Sequence, residues 1–245
     1  YRGAFFAWES ADTGEETTPE KIIDPNGRVI EVLCGKQEWH IVADVAYAVW
    51  QYWQVTRDDA FLLDAGAELL LETARFWASC AVPEGDGYFH IRGIIGPDEY
   101  HEHIDDNAYT NEMARWNLRR AIELLATLEE NWPDRRRELT GALGLDHEEV
   151  ALWQDVADHL IRHFNEETGL FEQFEGYFGL EEIDLSQYEG RMVPMDVVLG
   201  RERTQASQVV KQADVVALLA LLDSADRRVI EENFRYYAPR CGHGS

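Results

Sequence analysis

The chain has 245 residues, 45% hydrophobic and 28% charged, which is long enough for one sizeable core, and nothing in it resembles a flexible linker. Acidic residues outnumber basic ones 47 to 22, a balance that argues against nucleic acid and anionic membrane surfaces as partners and says little about a neutral substrate. Cys34, Cys80 and Cys241 are few, odd in number and without a CxxC pair; with no membrane-spanning run and no signal peptide, this points to a reducing, cytoplasmic compartment.

In chain order, Tyr1 to Ser10 is an aromatic run that passes into an acidic turn at Ala11 to Glu16. It reads either as a buried segment or as a sugar platform in which the Trp8 ring stacks and Glu9 accepts from a hydroxyl. Residues 20 to 38 alternate irregularly around a turn signal at Pro25-Asn26-Gly27. From His40 the spacing of Val42, Val45, Ala46, Val49, Trp50 and Trp53 predicts an amphipathic helix. Thr56 to Asp59 breaks it, and a second helix, aspartate-capped, runs through Phe61, Leu69 and Trp77 to about Cys80. Two helices joined by so short a turn form an antiparallel hairpin.

Tyr88 to Ile91 is short and β-like. Gly96 to Asn111 then brings five acidic side chains, two histidines and two tyrosines into sixteen residues, opened by a Gly-Pro turn. That density predicts a loop at the mouth of a cavity, presenting a carboxyl to a substrate. Asp105-Asp106 reads as a solvated pair ahead of Asn107, which caps a helix over Ala114 to Leu128 ended by Trp132-Pro133. Asp146 with Glu149 opens another, extending to Phe164. Gly169-Leu170-Phe171 then echoes the pattern at Gly87. Residues 175 to 203 are irregular. Val209 to Leu221 predicts a helix that Lys211 opens, and Ser224-Ala225-Asp226 starts a last one ending near Pro239. The fold class is all-α, built from helical hairpins with long connections at one end. His101-Glu102-His103 does not sit in a strand pattern that would aim both imidazoles one way, so no metal is expected.

Phe5-Phe6-Ala7-Trp8-Glu9-Ser10, Gly96-Pro97-Asp98-Glu99-Tyr100-His101-Glu102 leading to Asn107-Ala108-Tyr109-Thr110-Asn111, Lys211-Gln212-Ala213-Asp214-Val215 and the terminal His243-Gly244-Ser245 resemble glycoside hydrolase family 65. The motifs come in the family's order and span nearly the whole chain. The family comprises inverting phosphorylases of maltose, trehalose, kojibiose and nigerose, with some hydrolases. The resemblance implies an (α/α)6 barrel, a helical toroid, incomplete in this chain: residues 1–245 would be part of that single catalytic domain. The family's N-terminal β-sandwich and C-terminal region would lie outside it, and a larger protein is expected.

By the same resemblance Glu99 matches the general acid. Trp8 and Glu9 match residues around the glucosyl unit, and Lys211 and Gln212 match a pair at the glucosyl and phosphate site. His243 and Ser245 match the phosphate-binding end. The implied co-substrate is inorganic phosphate, with no other cofactor, and the family's habit is a homodimer. The implied reaction is inverting phosphorolysis of an α-glucosyl disaccharide to β-glucose 1-phosphate and a sugar. Alternatives are an inverting hydrolase of the same family and a non-catalytic carbohydrate-binding helical domain.

The residue types suit that chemistry. An inverting hydrolase needs an acid and a base; phosphate is already an anionic nucleophile, so a phosphorylase needs the acid alone. Glu99 has to hold a proton to act, and burial with Asp98 and Glu102 nearby is expected to favour that. Lys211 and Ser245 would supply the charge and hydroxyl that hold phosphate, an acid cluster on one side facing a cationic pocket on the other.

Overall fold

The structure is a computed structural model that describes residues 1–23, 27–222 and 226–242. Helices dominate, accompanied by strands of two or three residues. The chain separates into two compact units, one formed by residues 1–7, 40–91 and 112–161, the other by residues 8–39, 92–111 and 162 onward.

The first unit is built on the predicted hairpin. Helix Ile41–Thr56 buries Val42, Ala43, Ala46, Val49, Trp50 and Trp53, the stripe expected from its spacing. It stops at Arg57 in a left-handed conformation, and the Asp58 carboxylate accepts from Phe61 N at 3.0 Å to start the return. That return passes through a π-helical turn, Leu62–Gly66, before Ala67–Cys80. Gly66 sits in the turn where a Cβ would come within 3.3 Å of Val49 and Phe61, so the two arms approach closely there.

Helix Ala67–Cys80 is covered on most sides: ten of its fourteen residues are buried, which makes it the core element of this unit. Trp77 on it and Trp153 on helix His147–His159 are fully buried, each worth roughly 1.5–3 kcal/mol in area removed from water. Arg75 ties the two helices, donating to Glu149 Oε1 at 2.6 Å and to Leu143 O at 3.1 Å. Asp146 caps the second as expected, accepting from Glu149 N at 2.9 Å.

Three expectations need correction. Trp132-Pro133 ends one helix but also opens Pro133–Leu143, since a proline in the first turn gives up only an N–H that had no partner there. The helix from Asp146 stops at His159 rather than Phe164. Phe164 instead starts a small antiparallel pair, Phe164–Asn165 with Leu170–Phe171, the counterpart of Val82–Pro83 with Phe89–His90. The echo between Gly87 and Gly169 is thus a repeated hairpin. Third, Val209, Val210 and Lys211 precede helix Asp214–Leu221 in extended or turn conformation, and Val210 bridges to Cys241.

The second unit carries the acidic loop. Asn107 caps helix Ala108–Asn131, accepting from Thr110 N at 2.9 Å. An aromatic core of His101, Phe174, Tyr177 and Tyr237 lies under the loop. Burial holds the Tyr177 and Tyr237 hydroxyls strongly in the protonated form, Tyr177 donating to Gln208 O at 2.7 Å and Tyr237 to Phe171 O at 2.5 Å. Helix Arg227–Tyr237 is capped by Asp226 and anchored by buried Asn233, which donates to Gly169 O and accepts from Phe171 N. Residues 175–203 hold two 3-10 turns and the short helix Met195–Leu199, with Arg201–Gln205 following. Strands Lys21–Ile23 and Val29–Glu31 pair across the predicted turn, whose Pro25 and Asn26 lie outside the described residues, as do Ser224 and Ala225.

Candidate active site

Asp98 organises the acidic loop. Its side chain is fully buried and satisfied at both oxygens: Oδ1 accepts from Lys211 N at 2.7 Å and Tyr100 N at 3.2 Å. Oδ2 lies 2.6 Å from His101 Nδ1 and accepts from Gln173 Nε2 at 3.0 Å. His101 Nε2 reaches Ser207 O at 2.9 Å. A buried carboxylate with this many donors fixes the loop around it, and it brings Lys211 to the residue next to Asp98, which is Glu99.

Lys211 Nζ stands 2.6 Å from Glu99 Oε1, with both side chains about 30% exposed, Lys211 at 28% and Glu99 at 31%. Acid and cation are therefore in direct contact, which corrects the expectation of an acid cluster facing a separate cationic pocket. The neighbouring acids are also differently arranged. Asp98 is committed to the donors above, and Glu102 is paired with Arg201 Nη2 at 2.6 Å. The carboxyl that approaches Glu99 is that of Glu38, only 1% exposed: its oxygen, Cys34 Sγ and a Glu99 oxygen lie within 4.8 Å of one another. Burial, then contact with Glu38 and the charge of Glu99, push the Cys34 thiol strongly toward its protonated form.

Glu99 and Lys211 open into a cavity of about 330 Å³, near the lower end for small-molecule sites. Glu31, Glu102, Asp196 and Arg201 supply its other charges, and Ile22, Val32, Leu33 and Pro194 its apolar wall. The strands Lys21–Ile23 and Val29–Glu31 thus form part of a site that the irregular pattern of residues 20 to 38 gave no reason to expect. Pro194 and Asp196 are placed by Met195 N, which donates to the Tyr100 hydroxyl at 3.1 Å.

The other expected site residues stand as follows. Gln212 follows Lys211 but is not part of the cavity wall; its Oε1 is buried and accepts no hydrogen bond from the protein. Trp8 and Glu9 likewise lie outside the wall of this cavity. Their backbone N–H groups donate to Glu16, at 2.7 Å to Oε2 and 3.3 Å to Oε1. Burial pushes the Glu16 carboxyl up, but the hydrogen bonds from Thr18, Trp8 and Glu9 outweigh it and hold Glu16 below the usual carboxylate range. A Cβ on Gly35 would come within 3.0 Å of Glu16, so this turn packs beside Cys34.

His243 and Ser245 lie outside the described residues. The backbone leading to them is held beside Lys211: Gly242 N donates to Val210 O at 2.7 Å and Cys241 Sγ to Lys211 O at 3.3 Å. His103 diverges from His101, its Nδ1 lying 2.7 Å from Gln37 Nε2. Asp106 is buried and salt-bridged to Arg92 Nη1 at 2.9 Å, which corrects its reading as a solvated residue.

Comparison with known proteins matches the whole chain, residues 1–245, to the model described as "Glycosyl hydrolase family 65 central catalytic domain". A kojibiose phosphorylase of Halothermothrix orenii is 41% identical over all of this chain and 32% of its own length. A 1,2-alpha-glucosylglycerol phosphorylase of Bacillus selenitireducens is 39% identical over all of this chain and 33% of its own. The chain spans about a third of the length of these curated relatives. A solved structure, "Putative kojibiose phosphorylase from human microbiome", shares the fold with a TM-score of 0.85 at 24% identity, covering 99% of this chain and 34% of that one. With the family model matched from end to end and relatives up to 41% identical over the whole chain, this chain belongs to glycosyl hydrolase family 65.

Proposed function

We propose that the protein cleaves an α-glucosyl disaccharide of the kojibiose, trehalose or maltose type with inorganic phosphate, inverting the anomeric centre to give β-glucose 1-phosphate and a free sugar. The carrying observation is the 2.6 Å contact between Lys211 Nζ and Glu99 Oε1 at the wall of a cavity, both held by the buried Asp98. Glu99, protonated, delivers its proton to the glycosidic oxygen as the C–O bond breaks. Phosphate, attacking the anomeric carbon from the opposite face, forms the new C–O bond. Lys211 turns its ammonium to the incoming anion, and by the family resemblance His243 and Ser245, which lie outside the described residues, supply further donors to it. The vacant acceptor on Gln212 and the Trp8-Glu9 pair take glucosyl hydroxyls and the sugar face.

In this reading the chain is a segment of an (α/α)6 barrel, phosphate is the co-substrate, and the protein works in the cytoplasm as a homodimer. Relatives named for kojibiose and glucosylglycerol phosphorylases support the reaction class, and three free cysteines suit a reducing compartment.

One observation favours a second reading, inverting hydrolysis. Asp196 lines the same cavity with a buried Oδ1 that accepts no protein hydrogen bond, and such a carboxylate could activate water. A panel of glucosyl disaccharides incubated with and without phosphate separates the two: glucose 1-phosphate formed only with phosphate supports phosphorolysis, and equal sugar release without it supports hydrolysis.

A further inference from the structure

Most polar groups that line the cavity beside Glu99 and Lys211 are already engaged. Glu102 and Arg201 pair with each other, the Gln205 amide donates to Glu102 O at 3.0 Å, and the Thr204 hydroxyl donates to Gly200 O at 3.0 Å. Apart from the exposed Glu31, two neighbouring groups are left over. The Asp196 carboxylate accepts no hydrogen bond among the described residues; its Oδ1 is buried, which leaves Oδ2 for a ligand. The Tyr100 hydroxyl oxygen accepts from Met195 N at 3.1 Å, and among the described residues its hydrogen meets no acceptor. We propose that Tyr100 and Asp196 are specificity-determining residues that together read one hydroxyl of the leaving sugar, the phenol donating to its oxygen and the carboxylate accepting its hydrogen.

A sugar hydroxyl gives one hydrogen and accepts another, so a fixed donor beside a fixed acceptor is the pattern that recognises it. The two are held together through the main chain, because the Tyr100 oxygen is bound at Met195, the residue before Asp196. Burial raises the Tyr100 hydroxyl above its ordinary value, so the donor keeps its proton. Phosphate does not suit this side of the cavity, where Asp196 and Glu31 repel an anion and leave a neutral polyol unopposed. The ring read here is the leaving sugar rather than the glucosyl unit. Glu99 stands between the two rings in the proposed reaction, and Trp8, Glu9 and Gln212, taken as glucosyl contacts, all lie outside this wall. A cavity of about 330 Å³, near the lower end for small-molecule sites, suits a single ring.

This rests on the phosphorolysis proposed above, and it is tested in the reverse direction, where the acceptor sugar can be varied. In the intact enzyme a hydroxyl of the acceptor displaces phosphate from β-glucose 1-phosphate and passes its proton to Glu99. The disaccharide formed is measured with glucose and with each monodeoxyglucose that keeps the reacting hydroxyl. With glucose, Asp196→Asn lowers kcat/KM by about tenfold or more and Tyr100→Phe by about fivefold, the ranges for a hydrogen bond to a charged and to a neutral group. With one and the same deoxy isomer both losses shrink to within about twofold, because the hydroxyl they serve is already gone.

Losses equal for every acceptor, losses that vanish on two different isomers or for only one of the variants, or no loss at all, overturn the proposal. Tyr100→Phe leaves Met195 N without its acceptor; should that variant not fold, Asp196→Asn is read alone, and its loss must still vanish on one isomer. Wild type that forms no disaccharide from β-glucose 1-phosphate with any acceptor is a different result, which removes the phosphorolysis itself. An active wild type with uncoupled variants removes only the role given to Tyr100 and Asp196.

Discussion

Lys211 and Glu99, 112 residues apart in sequence, meet at 2.6 Å, and the same lysine gives its backbone N–H to Asp98 at 2.7 Å. Two consecutive acidic residues of one loop therefore grip one residue of another, the first through the main chain and the second through the side chain. Main-chain position and side-chain charge are set separately, which lets the ammonium move while the backbone stays.

Replacing Lys211 by methionine keeps the stem and removes the charge. Phosphorolysis falls by about a hundredfold or more, as for loss of one preorganised charge at a reacting group. Thermal stability changes little, because an ion pair with both partners about 30% exposed contributes at most about 1 kcal/mol. Steady-state kinetics at varied phosphate, beside a melting curve, check both halves.

Asp98→Asn behaves in the opposite way. The side chain is buried, and an amide nitrogen would face one of the donors that the carboxylate now accepts from: His101, Gln173, Tyr100 N and Lys211 N. Stability drops by about 3 kcal/mol, and activity falls with it since Lys211 loses its anchor. Denaturant unfolding monitored by circular dichroism measures the first effect.

Gly96→Ala tests the packing behind the loop. A Cβ there would meet Asp214 Oδ2 at 2.4 Å and Asn107 Nδ2 at 2.6 Å, two groups that are hydrogen-bonded to each other at 2.7 Å. Neither can retreat without breaking that buried bond, so a loss of about 2 kcal/mol or more is expected in the same unfolding assay.

Glu16 supplies a pH dependence with a definite sign. Its carboxyl is held below the ordinary range in the folded chain, so the stability it adds is present above the unfolded value, near 4.3, and is lost as the pH falls through the folded one. Wild type therefore exceeds Glu16→Gln in stability at neutral pH, by less than about 1 kcal/mol for so exposed a group, and the gap closes below about pH 4. Paired melting curves at pH 7 and pH 3.5 read the difference.

Most of the helices were legible because their apolar spacing and their Asp or Asn caps are local signals: Asp58 and Asp146 in the first unit, and Asn107 and Asp226 in the second, all cap helix starts. Helix Pro133–Leu143 was not, since it buries one residue, Leu139, and has almost no apolar face to find. Around the site, Glu99 and Lys211 could be named from motifs, while their contact could not, because it depends on a buried Asp98 that reads like any acid in an acidic loop. Glu38 carried no signal at all: a single glutamate between two helices becomes informative only when its burial is known. Val209 and Val210 misled in the other direction: both are buried ahead of the helix, and Val210 pairs through its backbone with Cys241.

The most direct test of the account is the anomeric configuration of the glucose 1-phosphate released from a kojibiose-type disaccharide, followed by proton NMR from the first turnover onward, with Glu99→Gln as the comparison. The account predicts the β anomer, formed only when phosphate is present and lost in the variant. An α anomer, or glucose released at the same rate in phosphate-free buffer, would contradict it.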